Sequence, residues 1–155
     1  MIKRLAIMRR ISQRSDWIER IIFSPASEEA AYKLKGWMDA SGMETFNDPL
    51  TNVYGQRSFS KEGTEAPRIH LGSHYHTVVN AGAFDGILGV LIGIAVVEAI
   101  VESKHPFNHN LSVLAFCDEE GVRFNTTFLG SAYLTGLFKE EWLHKEDEYG
   151  KTLGE

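Results

Sequence analysis

Along the segment that begins at Ser24, apolar residues return with a helical period. Ala26, Ala30, Leu34, Trp37 and Met38 fall on one face, Ser24-Pro25 supplies a cap and a first-turn proline, and Gly42 supplies a stop. The pattern predicts a covering helix. Leu5, Met8 and Ile11 predict a shorter amphipathic helix before it. Strand-like runs follow at 44–46 and 52–54, and the polar, turn-rich stretch 57–67 predicts a hairpin or loop. Residues 68–73 then read as a short strand ending in Gly72-Ser73, which delivers His74 to the strand's carboxyl end. Segment 86–101 is almost wholly apolar; it is shorter than the roughly 20 residues of a membrane span and carries Gly86, Gly89 and Gly93, so a helix buried against a sheet is expected. Residues 110–117 form a β-rich run with Asp118-Glu119-Glu120-Gly121 at its end. The tail, 139–155, is charged and helix-prone, and its stop at Gly154-Glu155 is abrupt for a finished domain.

Strands alternating with helices predict an α/β layer architecture, which binds ligands just beyond the carboxyl ends of its strands. Both polar clusters lie at such ends. Composition adds exclusions: with 155 residues, 43% hydrophobic, the chain can bury one real core, and a net charge of -5 offers no basic footprint for nucleic acid. The basic N-terminus lacks the uninterrupted apolar stretch of a secretory signal, so no membrane partner is expected. The single cysteine, Cys117, can form neither an internal disulfide nor a cysteine-rich zinc site. It favours a reducing compartment, the cytoplasm, and leaves histidines and carboxylates as the metal donors.

The first cluster, Gly72-Ser73-His74-Tyr75-His76-Thr77, is followed by Gly82-Ala83-Phe84-Asp85-Gly86 just before the apolar helix. An imidazole and a carboxylate brought together there suit zinc or manganese. A lone histidine near a strand end is more often structural. The second cluster shifts that balance, because consecutive carboxylates at a buried strand end repel and need a cation or solvent. The bland alternative is a solvated acidic turn. His70, His105, His109 and His144 have no partner pattern, Cys117 reads as an inert core thiol, and the glycines of 82–93 match no dinucleotide or phosphate loop.

Taken together, GSHYHTVVNAGAFDGILGV (72–90) resembles the GSHxDT…GGxFDGxxGV block of the M20-type metallopeptidase clan, in its hydantoinase/carbamoylase branch. DEEGVRFNTTFLGSAYLTG (118–136) is similar to that branch's EEGxRF…GS…G block, and Arg123-Phe124 separates it from ordinary M20 peptidases. IIFSPASEEAAYKLKGWMDASGMETFNDPLTNVYG (21–55) resembles the branch's opening helix and Asp…Asn-x-x-Gly segment. The resemblance implies an α/β fold: the N-terminal part of a zinc-aminopeptidase-like (phosphorylase/hydrolase-like) catalytic domain, a mixed sheet flanked by helices. It implies a metal-dependent amidohydrolase acting on linear C–N bonds of small substrates such as N-carbamoyl amino acids or allantoate. Two divalent ions are implied, zinc first and manganese next, with His74 on one, Asp85 bridging, Glu120 on the other and Glu119 as general base.

His76 departs from the family, which has Asp there to orient the ligand histidine. It is carried as a candidate catalytic residue that either binds metal directly or only hydrogen-bonds, the second being preferred. Family members are also longer. Their lid and dimerisation domain, the remainder of the catalytic domain and two further histidine ligands would lie outside residues 1–155, so this stretch is expected to be inactive or nearly so and to leave an apolar sheet edge; the full-length protein is expected to be a homodimer. Two other readings stay open: a non-catalytic remnant or binding module, and a cyclic amidohydrolase using His74-Tyr75-His76 as a His-x-His pair on a β/α barrel. The FDG and EEGVRF blocks have no place in the barrel scheme, for which the chain is also too short.

Overall fold

The computed structural model of the chain describes residues 1–60 and 66–155, so the middle of the predicted hairpin or loop at 57–67 lies outside the described residues. Helix α1 spans Ile2–Met8 and α2 spans Pro25–Ala40. Ser24 caps α2, its hydroxyl accepting from the Ser27 amide at 3.1 Å with Pro25 in the first turn. Ala26, Ala30, Leu34 and Met38 form its buried stripe. The helix ends in a Schellman turn: the Gly42 amide donates to the Asp39 carbonyl and the Met43 amide to that of Met38, at 2.8 and 3.1 Å. Ile11, expected on the first helix, lies beyond its end but is buried in the core.

Four strands make one sheet: β1 (Glu44–Asn47), β2 (Val53–Arg57), β3 (Arg68–His74) and β4 (Asn110–Phe116), ordered β1-β2-β4-β3. β1 and β4 each run antiparallel to β2, whereas β3 and β4 are parallel and joined by α3 (Ile87–Ser103). The sheet is therefore mixed and helix-covered, as expected. α2 packs on β1 and β2, α3 on β3 and β4, and α1 on α3. Ile87, Val90, Leu91, Ile94 and Val97 bury the inner side of α3, each contributing roughly 1.5–3 kcal/mol of transfer free energy. At Gly93 a side chain would meet Val113 and Leu71 at 3.1 and 3.4 Å, so this glycine sets how closely α3 lies on the strands.

β3 is a sheet edge, with Ile69 partly exposed. After β4, α4 (Leu129–Thr135) follows the acidic run. The tail is less helical than its composition predicts: a 3-10 turn covers Glu140–His144, and a bridge then pairs Glu146 with Thr152. Asp147 holds that turn, accepting from the Tyr149 and Lys151 amides through one oxygen and from Arg123 through the other, and these bonds override helix propensity. No helix among the described residues is long and apolar enough to cross a membrane.

Candidate metal centre

Parallel strands place their carboxyl ends side by side, and the helix between them starts at that same end. His74 pairs with Phe116 in the last rung of β3 and β4, so residues 118–120 emerge beside it, and Asp85 lies two residues before α3. One ligand atom from each of His74, Asp85 and Glu120 falls within 4.8 Å of the others. His74 Nε2 lies 3.7 Å from Asp85 Oδ1 and 3.6 Å from Glu120 Oε1, beyond a good hydrogen bond. Donors that hold divalent ions at about 2.0–2.2 Å sit a few ångströms from one another, so these separations suit a cation-binding group. The side chains of Asp85 and Glu120 are 42% and 43% exposed, leaving the group open to solvent.

The tautomer of His74 follows from its other nitrogen. Nδ1 lies 2.8 Å from the His76 carbonyl, which can only accept, so Nδ1 carries a proton and, in the neutral ring, Nε2 turns its lone pair toward the two carboxylates. Gly86 makes room for this ring. It has φ +64°, and a Cβ there would run into Nδ1 and Cε1 of the His74 ring.

The three acids meet different fates. Glu120 faces His74. Glu119 lies outside the group of three; both its oxygens are held by Ser131 of α4, Oε1 by the backbone amide at 2.8 Å and Oε2 by the hydroxyl at 2.7 Å. Asp118 turns inward at φ +33°, and burial foremost pushes its carboxyl up to about 7, against a stabilising bond from the Val122 backbone. Among the described residues its buried Oδ2 has no hydrogen-bond partner.

His76 is buried, and its Nδ1 accepts the Asp118 amide at 2.9 Å. Burial foremost, then the Arg20 charge, lowers its pKa to about 3, so the ring is neutral. A neutral ring with an accepting Nδ1 keeps its proton on Nε2, which leaves no lone pair there for a metal. The two histidines are thus not equivalent donors, and the mixed sheet is no β/α barrel, so the His-x-His reading fails.

The sequence model of peptidase family M28 matches residues 52–148, which include all three grouped side chains. The chain belongs to peptidase family M28. This M28 chain is 40% identical over 149 residues to allantoate deiminase 1 of Glycine max, covering 95% of itself and 30% of that protein. It is 37% identical over 135 residues to an N-carbamoyl-L-amino-acid amidohydrolase of Pseudomonas sp. (strain NS671), covering 87% of itself and 32% of that protein. A hydantoinase/carbamoylase family amidase from Burkholderia ambifaria superposes with a TM-score of 0.88 at 29% identity, over 99% of this chain and 37% of that one. The M28 chain thus spans about a third of the length of these relatives. The relatives bear out the hydantoinase/carbamoylase resemblance, while the matching family model is that of M28 rather than M20.

Around its metal-binding candidates the M28 chain keeps supports that the motif reading did not single out. Arg20 is buried, with Nε donating to the Tyr75 carbonyl at 3.0 Å and Nη1 to those of Met8 and Ile11 at 3.0 and 3.1 Å, so one guanidinium ties the loop after His74 to the N-terminal segment. Burial foremost lowers its pKa to about 10, partly offset by the charge of Asp85. Asn52, which has no role of its own in the motif, bonds the Cys117 amide and the Gly130 carbonyl. Ser131 likewise carried no role. The only sequence signal for these residues was membership of motif blocks or, for Arg20, a charge flanked by apolar residues.

Proposed function

We propose that the protein is a two-metal amidohydrolase of linear carbamoyl or ureido C–N bonds in small substrates such as N-carbamoyl amino acids or allantoate. The observation that carries this is the convergence of His74, Asp85 and Glu120, with a free lone pair on His74 Nε2. The donor set fits divalent zinc first and manganese next, since one imidazole and two carboxylates suit both. His74 and Glu120 would each hold one ion, with Asp85 shared. Such ions supply Lewis acidity toward a water and the scissile carbonyl. Glu119 takes the water's proton and returns it to the departing nitrogen. Ser131 holds that carboxylate in place through both oxygens, leaving each a further lone pair. We further propose that residues 1–155 are the N-terminal part of the catalytic domain of a cytoplasmic homodimer whose lid and dimerisation domain and remaining ligands lie outside them, so that this stretch turns over substrate slowly or not at all. The relatives, an allantoate deiminase and an N-carbamoyl-L-amino-acid amidohydrolase, support this reading.

Zinc titration by calorimetry, with metal content by mass spectrometry, tests the proposal on the 155-residue chain. Zinc uptake is expected, and His74→Ala, Asp85→Asn and Glu120→Gln should each weaken it about 10-fold or more, because each removes a direct ligand where lesser changes already cost 10 to 100-fold. Uptake indifferent to all three substitutions sinks the proposal. Rapid hydrolysis of N-carbamoyl amino acids or allantoate by this stretch would overturn the claim that it needs further ligands.

A further inference from the structure

The enclosed ring of His76 has no part in the chemistry above, yet it touches both halves of the centre. Its main-chain carbonyl receives the Nδ1 proton of His74, and its side-chain Nδ1 receives the amide of Asp118. We infer that His76 is a positioning residue: it sets the tautomer and aim of His74 and, through the Asp118 amide, fixes the direction in which Glu119 and Glu120 leave β4. This rests on the metal-centre reading for its functional meaning but not for its geometry.

Neighbouring residues show why the ring matters. The backbone around it is pinned on the strand side, with the Tyr75 amide bonded to the Phe116 carbonyl at 3.1 Å and the Thr77 amide to the Arg20 carbonyl at 3.0 Å. The His76 side chain ties this segment to the acidic run. The residue it grips there, Asp118, sits at φ +33°, a conformation that an L-residue holds only when its surroundings fix it. Rotation at Asp118 would redirect the two glutamates that follow. The orientation an aspartate at position 76 would give His74 through its carboxylate comes here from a carbonyl, and the ring that keeps this carbonyl in place accepts the Asp118 N–H. The ring is therefore neither ligand nor proton carrier.

Three variants separate these roles. Asn in His76→Asn carries an acceptor oxygen on Cγ, where His carries Nδ1; His76→Gln places its amide one bond further out; His76→Phe keeps bulk without an acceptor. Two readouts use the metal-free protein: hydrogen exchange of the Asp118 amide, and the ring-nitrogen shifts of His74, which report its tautomer. Zinc affinity is the third. His76→Phe should accelerate Asp118 exchange, mix the His74 tautomers and weaken zinc binding by about 10 to 100-fold, the range for loss of an orienting partner. His76→Asn should recover most of each effect and His76→Gln little. Unchanged exchange and tautomer in His76→Phe would overturn the inference, as would equal behaviour of the Asn and Gln variants. If His76→Phe fails to fold by circular dichroism, the Asn and Gln pair decides. If the parent chain takes up no zinc while exchange and tautomer respond as described, the metal reading falls and the positioning role stands.

Discussion

Asn52 offers the sharpest test of how the centre is supported. The side chain is buried; its Oδ1 accepts the Cys117 amide at 2.8 Å, and its Nδ2 donates to the Gly130 carbonyl at 3.0 Å and to Asp48 Oδ2 at 2.6 Å. Asn52→Ala leaves the buried Cys117 N–H without its partner and takes one bond from the Gly130 carbonyl, which lies in the first turn of α4 and serves there as a helical acceptor. A buried group left unsatisfied costs about 1–3 kcal/mol, and the Cys117 N–H sets that scale here. The bond to partly solvated Asp48 is left out because water can replace it. For a chain of this size that corresponds to a fall in Tm of roughly 2–12 °C, read by circular dichroism and cross-checked by the urea midpoint. Since the same bonds seat Cys117 ahead of the acids and Gly130 ahead of Ser131, zinc affinity should fall together with stability. A loss below about 1 kcal/mol would refute the reasoning, because it would mean that water or a neighbouring group satisfies the Cys117 N–H.

Gly86→Ala should reduce zinc binding more than stability, because the added Cβ falls on the His74 ring; calorimetry beside a thermal melt checks this, and intact affinity would contradict the close packing. Ser131→Ala removes one of two bonds to Glu119 and should leave zinc affinity near that of the parent, while lowering any turnover measured in a full-length protein; lost zinc binding instead would make Ser131 a support of the ligands. Glu98 has its pKa lowered from 4.5, chiefly by its bond from Arg4, with burial opposing and Ser41 assisting. Such a depressed carboxylate stabilises the fold above its unfolded pKa and ceases to do so as pH falls through the lowered value. Glu98→Gln should therefore be less stable than the parent at pH 7, and the deficit should close as pH falls below about 4.5 in paired urea melts. Cys117 is fully buried and burial raises its thiol pKa strongly, so it should resist alkylation in the native state; reaction without denaturant would show that the β4 end opens.

The grouping of His74, Asp85 and Glu120 was legible because each follows or precedes a strongly patterned element, and one parallel crossover is enough to bring such positions together. Helix α2 was legible to its last turn, since cap, first-turn proline and terminal glycine all act locally. The tail was not, because the bond from Arg123 to Asp147 spans 24 positions and no composition encodes it. Arg20 escaped for a similar reason: its partners are main-chain carbonyls of residues 8, 11 and 75, and a carbonyl has no signature in the side-chain alphabet. Missing the aspartate at position 76 suggested an unsupported His74. The ring instead finds a carbonyl two residues on, which depends on the backbone path and not on residue type.

The rung pairing His74 with Phe116 makes the centre a gauge of strand alignment. Sliding β3 by a single residue would advance it about 3.3 Å and turn His74 to the opposite face of the sheet, emptying the corner that Asp85 and Glu120 frame. Zinc uptake would then report correct pairing of two strands 42 residues apart in register, so that folding errors invisible to a helix signal would surface as a failure to take up the ion.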